Sequence, residues 1–66
     1  MAILLNGSPM EFAHPEPVAD FLTGLGAPAT GVAIAVNGVI VPRSRWSEAM
    51  VDDGDTVEVL TAMQGG

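Results

Sequence analysis

Short apolar runs separated by turn residues divide the 66-residue chain into predicted strands and one helix. The run at residues 2–5 ends at Asn6-Gly7, and residues 10–14 then alternate apolar and polar side chains, as a half-buried strand does. Asn-Gly is the strongest short-range hairpin signal because both residues tolerate a positive φ. The pattern therefore predicts a first hairpin formed by residues 2–6 and about 10–14.

The second half of the chain shows the pattern of a second hairpin with the same turn dipeptide. An apolar run at residues 32–36 is followed by Asn37-Gly38 and by a further apolar run at residues 39–42, which predicts a second hairpin. An aspartate-rich turn at residues 52–55 then precedes the apolar and polar alternation of residues 56–62. We expect this last segment to be a strand.

A helical stripe lies between the two predicted hairpins. Four apolar residues recur at the spacing i, i+3, i+4 and i+7, which is one face of a helix: Val18, Phe21, Leu22 and Leu25. Pro17 suits the first helical turn, where the N–H that it lacks has no partner, and glycines and Pro28 mark the end. We predict a helix over residues 17–25, which is too short to persist alone and must pack on a sheet.

Residues 44–50 are predicted to connect the second hairpin to the last strand, with one helical turn begun by Ser44 or Ser47. Trp46 is expected to be a half-buried plug under this connection. Two interpretations of Arg43 and Arg45 stay open. They pair locally with Glu48 or a nearby aspartate, each exposed pair contributing about 0–1 kcal/mol, or they contact a partner or phosphate.

The predicted order of hairpin, helix, hairpin and strand indicates an α+β fold, with a mixed sheet of about five strands packed on one helix. The length indicates a single domain over residues 1–66, with a flexible C-terminal tail at about residues 63–66. Strand parity places six side chains on the helix side of the sheet: Ile3, Leu5, Ile34, Val36, Val57 and Val59.

The same parity leaves small and apolar side chains on the other face of the sheet: Leu4, Ala35, Leu60 and Ala62. The chain offers no second helix to cover this face, and a contiguous exposed apolar patch usually marks a partner site. We expect Leu4 and Leu60 to be adjacent there on central strands. This face is the predicted docking surface for a protein partner.

Composition excludes several function classes. Eight carboxylates stand against two arginines and no lysine, for a formal charge of −6, so nucleic acid is not an expected partner. The apolar run at residues 2–5 is too short for a signal peptide or a membrane span, and the chain has no cysteine. We expect an acidic cytoplasmic protein that does not bind membranes and is a monomer when free.

Catalysis and metal binding are not expected of the body of the protein. A 66-residue chain has few residues with which to build the walls of an enzyme pocket, and His14 has no second ligand or catalytic partner nearby in sequence. The acidic turn of Asp52, Asp53 and Asp55 lacks the ligand spacing of a calcium-binding loop. We therefore predict no catalytic residue, no metal site and no bound cofactor.

The chain end carries the strongest chemical signal. Gly65-Gly66 follows a predicted strand, and glycine has no Cβ, so this tail can enter a narrow channel and present the α-carboxylate of Gly66 to a partner's active site. Gln64 and Gly65 would form the threading segment. A carboxylate becomes an acyl donor once adenylation by ATP, consumed by that partner, has given it a leaving group.

The chain resembles the ThiS family of ubiquitin-like β-grasp sulfur carriers over nearly its whole length. The specific segments are Val36-Asn37-Gly38, Val41-Pro42-Arg43, Trp46, Asp53-Gly54-Asp55 and Gly65-Gly66. The resemblance implies a β-grasp fold and a C-terminal glycine, Gly66 here, that an E1-like adenylyltransferase of the ThiF type adenylates. A sulfur donor protein then supplies the sulfur of a thiocarboxylate, which a ThiG-type thiazole synthase uses in thiamin synthesis.

Pro17 departs from the family pattern, because related chains often carry a Ser or Thr helix cap there. Three alternatives also stay open: a carrier for another acceptor in molybdopterin or cysteine synthesis, a ubiquitin-like protein modifier, and an interaction module without tail chemistry. The absence of lysine favours a carrier over a tag that forms chains on itself. Single conjugation to other proteins remains compatible with the sequence.

Overall fold

The computed structural model describes residues 1–62. The predictions that concern residues 63–66, including the flexible tail and the roles of Gln64, Gly65 and Gly66, lie outside the described residues. Residues 1–62 contain no helical segment with the length and hydrophobicity of a membrane span.

Residues 1–62 form seven strands, one α-helix and one 3₁₀ turn. In chain order they are β1 (Ala2–Leu5), β2 (Ser8–Glu11), β3 (Glu16–Pro17), α1 (Val18–Gly24), β4 (Val32–Val36), β5 (Val39–Ile40), the 3₁₀ turn (Arg43–Arg45), β6 (Met50–Val51) and β7 (Thr56–Thr61).

Five of the strands form a mixed sheet in the order β2-β1-β7-β4-β5. Strand β7 lies at its centre, parallel to β1 and antiparallel to β4. The predicted α+β class, with about five strands and one helix, is confirmed. A second pairing between β3 and β6, in which Glu16 faces Val51, was not predicted from the sequence.

Both hairpins turn at their Asn-Gly dipeptide, as predicted. The φ angles are 50° and 83° at Asn6 and Gly7, and 52° and 80° at Asn37 and Gly38, which is the type I′ arrangement. The predicted bounds of the second strand, about residues 10–14, are wrong at both ends. A two-residue turn places Ser8 opposite Leu5, so β2 begins at Ser8 and ends at Glu11. Proline at position 9 is tolerated because β2 is an edge strand.

Helix α1 is one residue shorter at each end than the predicted 17–25, because Pro17 is its N-cap and Leu25 is its C-cap. Pro17 makes no side-chain cap. The N–H of Val18 instead donates to the carbonyl of Ala49 at 2.8 Å, and the N–H of Ala19 donates to the carbonyl of Trp46 at 3.0 Å. The connection formed by residues 44–50 therefore supplies acceptors for amides at the helix start that otherwise lack partners.

The core lies between α1 and the sheet. Its buried residues are Ile3, Val18, Phe21, Leu22, Ile34, Val51 and Val57. The remaining predicted inner-face and helix residues are half-buried and pack against this cluster: Leu5, Leu25, Val36 and Val59. The predicted assignment of faces is confirmed, and Val51 in β6 is a core residue that the sequence analysis did not assign.

The connection before β6 contains a 3₁₀ turn that begins after Pro42, earlier than the predicted start at Ser44 or Ser47. Trp46 is half-buried, as predicted, and its Nε1–H donates to the carbonyl of Val41 at 2.9 Å. The Arg45 guanidinium pairs with Glu48 at 3.5 Å, whereas the Arg43 guanidinium lies 5.5 Å from the centre of the Trp46 ring. For Arg45, the interpretation that it pairs locally with Glu48 therefore holds.

Candidate functional site

Strand β7 is the element that leads to the chain end. It lies between β1 and β4, and Val57 on it is fully buried. On the β4 side the pairing continues from Val36 opposite Val57 to Val32 opposite Thr61. The N–H of Ala62 then donates to the carbonyl of Gly31 at 2.6 Å. The position from which the C-terminal segment starts is thus set by a strand that stays paired with β4 from Val57 to Thr61.

The β1 side of β7 is held over a shorter length. The parallel register places Leu4 opposite Thr56 and Leu5 opposite Val57, and the N–H of Asn6 donates to the carbonyl of Val57 at 2.9 Å. The Asn6 side chain then bonds Val59: its Oδ1 accepts from the Val59 N–H at 2.8 Å, and its Nδ2 donates to the Val59 carbonyl at 3.1 Å.

Asn37, in the other hairpin turn, holds the beginning of β7. Its Oδ1 accepts from the N–H of Thr56 at 2.9 Å, and its Nδ2 donates to Oδ1 of Asp55 at 3.0 Å. Both turn asparagines therefore bond the same central strand, one on each side of it. The sequence indicated the turns but not these side-chain contacts.

The aspartate turn before β7 is a structural element. Asp53 Oδ1 accepts from the N–H of Ala2 at 2.8 Å, Asp55 Oδ2 accepts from the N–H of Asp52 at 2.8 Å, and Asp52 Oδ1 accepts from the N–H of Asp53 at 2.7 Å. The predicted turn is confirmed. Residues 1–62 contain no group of three or more acidic or histidine side chains placed to hold a metal ion.

The outer face of the sheet carries a shallow apolar hollow of about 260 Å³ near the end of β7. Leu60 and Ile40 are its large exposed apolar residues, at 71% and 72% exposure, and Glu58 also lines it. The register places Leu60 opposite Ala33, and it places Ala35 between Glu58 and Ile40. Ala62 follows Leu60 by two positions and is exposed. We call Ala33, Ala35, Ile40 and Leu60 the exit patch.

The predicted adjacency of Leu4 and Leu60 is wrong. Leu4, 44% exposed, faces Thr56 at the beginning of β7, four residues before Leu60. At about 3.3 Å per residue the two side chains are roughly 13 Å apart along the strand. Of the predicted docking residues, Leu60 and Ala62 therefore lie at the end of β7, whereas Leu4 lies level with its beginning. Ala35 lies between them, opposite Glu58.

Ile40 was missed as a candidate docking residue although its signal was present. A two-residue turn at Asn37-Gly38 makes Val36 face Val39 and Ala35 face Ile40, so the hairpin prediction already placed Ile40 beside Ala35. His14, in contrast, is exposed in a bend after β2, with its Nδ1 3.0 Å from the carbonyl oxygen of Pro15.

Comparison with known proteins assigns the family. A sequence model described as the ThiS family matches residues 3–66, which is nearly the whole chain and includes both terminal glycines. This chain belongs to the ThiS family. The resemblance predicted from the sequence is confirmed, and so is the prediction of a small carrier that is not itself a catalyst.

Individual ThiS-family relatives agree with this assignment. The chain is 36% identical to the "Sulfur carrier protein ThiS" of Escherichia coli K12, with 100% of both chains covered. It is 33% identical to a "Thiazole synthase" of Paramagnetospirillum magneticum, where the match covers 100% of this chain and 20% of that protein. A crystal structure of the thiamine biosynthesis protein ThiS from Geobacter metallireducens superposes with a TM-score of 0.87 at 35% identity, covering 100% of both chains. The β-grasp fold is thereby confirmed.

Proposed function

We propose that the protein carries sulfur as a thiocarboxylate on Gly66 and delivers it for the formation of the thiamin thiazole. The observation that carries this proposal is the match to the ThiS family through the terminal Gly65-Gly66. The full-length similarity to a sulfur carrier supports it further. The family assignment also favours thiazole synthesis over molybdopterin or cysteine synthesis as the destination of the sulfur.

The proposed chemistry takes place entirely at the chain end. The α-carboxylate attacks the α-phosphate of ATP, so that pyrophosphate leaves and an acyl adenylate forms. Sulfur at the oxidation level of sulfide, supplied by a donor protein, then attacks the acyl carbon and displaces AMP, leaving the thiocarboxylate. Because Gly65 and Gly66 have no Cβ, the segment with Gln64 can enter a narrow active-site channel. The folded body contributes binding and position, and its partners contribute the catalytic groups.

Two enzymes are the proposed partners: an adenylyltransferase of the ThiF type and a thiazole synthase of the ThiG type. Support for the second comes from the relative named thiazole synthase, in which a segment similar to this whole chain makes up 20% of one polypeptide. The exit patch, with Ala62, is the proposed docking surface for the adenylyltransferase. The charge of −6 would speed association with basic surfaces more than it would tighten binding.

Intact-mass spectrometry tests the proposal. The full chain is incubated with ATP, the adenylyltransferase and a sulfide source, and the expected product gains the mass of one exchange of oxygen for sulfur at its C-terminus. A variant that lacks Gly66 serves as the control and should stay unmodified while its circular dichroism spectrum is unchanged. An unmodified wild-type chain, or modification of the control, would contradict the proposal.

The same measurement separates the competing functions. A protein modifier would appear as a branch on the lysines of other proteins, and an interaction module would show no change in mass. Incubation of the thiocarboxylated chain with thiazole synthase and its other substrates should consume the sulfur. If only another acceptor enzyme consumed it, the carrier chemistry would stand and the thiazole destination would be wrong.

A further inference from the structure

We propose that Asn6 is a positioning residue for the C-terminal segment, because its side chain sets the last point at which β7 is held on both sides. The inference rests on the proposed function, since it concerns how the body presents Gly66. Asn6 itself takes no part in the transfer chemistry.

The argument starts from the unequal lengths of the two neighbours of β7. On one side β4 stays paired with it to Thr61, and Gly31 bonds Ala62. On the other side the backbone pairing with β1 ends at Val57. Among residues 1–62, only the Asn6 side chain extends this second side further, and it does so at Val59.

The Asn6 side chain takes the place of a strand residue in this position. A carboxamide supplies one acceptor and donor hydrogens in a single plane, as a peptide group does, and here it bonds both the N–H and the carbonyl of Val59. The backbone of Asn6 is at φ 50° in the turn, a conformation that asparagine tolerates better than most residues. Turn geometry and side-chain length together bring the amide to Val59.

We call the two hydrogen bonds between the Asn6 side chain and Val59 the Asn6 clamp. Without it, the last residue of β7 that is hydrogen-bonded on its β1 side would be Val57 in place of Val59. Beyond Val57, β7 would then be held by β4 alone, on one side, and the direction in which the chain leaves the sheet would be less defined. A chain end whose direction is already defined enters a partner's active site at a lower entropic cost, since each degree of freedom frozen on binding weakens association. Asn6 therefore acts on the presentation of the tail.

The test is Asn6→Gly, with Asn37→Gly as its matched control. Glycine is accepted in both positions of a type I′ turn, so each variant keeps its hairpin while losing two side-chain hydrogen bonds to the β7 region. Relative to wild type, Asn6→Gly should lower kcat/KM for adenylation by roughly three- to tenfold, and Asn37→Gly should leave it within about twofold of wild type. Amide hydrogen exchange at Val59 should accelerate in Asn6→Gly alone.

Equal effects of the two variants, or a wild-type kcat/KM in Asn6→Gly, would show that the clamp serves stability only and would overturn the inference. Asn6→Asp is the second variant: it keeps an acceptor for the Val59 N–H but turns a carboxylate oxygen towards the Val59 carbonyl, so it should also lower kcat/KM relative to wild type. If the wild-type chain is not adenylated at all, it is the proposed function that fails. The exchange rate of the Val59 amide then still decides whether Asn6 holds β7.

Discussion

At the residue scale, two asparagines combine a turn conformation with a contact to the central strand. Asn6 and Asn37 both have positive φ angles, and both direct their side-chain amides at backbone groups of β7. The turn conformation follows from the local dipeptide. The contacts join residues 53 and 19 positions apart in sequence, so no local pattern indicates them.

Two glycines at the end of α1 give the sharpest prediction at this scale. Gly24 is helical, and a Cβ added there would meet no other atom within 4 Å. Gly24→Ala should therefore raise the free energy of unfolding by about 0.5–1 kcal/mol. Gly26 has φ +75° and its N–H donates to the carbonyl of Thr23. There alanine is strained, and Gly26→Ala should lower the free energy of unfolding by about 1–2 kcal/mol.

Urea denaturation followed by Trp46 fluorescence measures both changes. The two substitutions add the same methyl group two residues apart, so each serves as the control for the other. Shifts of the same sign would contradict the assignment of Gly26 as the left-handed residue that ends the helix.

At the element scale, α1 depends on segments that are distant in sequence. It has seven residues, which is too short for an isolated helix in water. Its buried face is held by the sheet, and its first two amides are held by the carbonyls of Trp46 and Ala49. This arrangement explains how Pro17 can stand at the N-cap without a polar side chain.

Substitution of Trp46 tests this dependence. Trp46→Ala removes a half-buried side chain under the connection and should lower the free energy of unfolding by about 3 kcal/mol. It should also accelerate amide exchange at Val18 and Ala19, whose acceptors lie in the connection. Trp46→Phe keeps most of the packing, loses the hydrogen bond to Val41 and should cost only about 1 kcal/mol. Unchanged exchange at both amides in Trp46→Ala would contradict the conclusion that residues 44–50 hold the start of α1.

At the scale of the whole molecule, the exit patch and the end of β7 lie together. Leu60 belongs to the patch and precedes the last described residue of the chain, Ala62, by two positions. A partner that covers the patch is therefore brought close to the start of the C-terminal segment. The rest of the molecule carries an excess of carboxylates, which favours basic partners.

Leu60→Ser compared with Leu4→Ser tests which part of the outer face docks. Leu60 is 71% exposed, so its replacement should change the free energy of unfolding by no more than about 0.5 kcal/mol. The KM of the adenylyltransferase for the carrier should nevertheless rise roughly tenfold if Leu60 is an anchor of the interface. Leu4→Ser should leave this KM near the wild-type value. Equal increases in KM would show that docking covers the whole face, as the sequence alone had indicated.

The turns, the helix and the side of the sheet on which each strand residue lies could all be predicted from the sequence, because they follow from dipeptides and from side-chain periods of 3.6 and 2. The sequence also carried the Gly-Gly ending and the family segments. The parallel register of β1 on β7, and with it the separation of Leu4 from Leu60, is visible only in the folded protein. The pairing of β3 with β6 and the capping of α1 by the connection are likewise visible only there. Each of these depends on contacts between segments far apart in the chain, and two-residue strands such as β3 and β6 are too short to show a period.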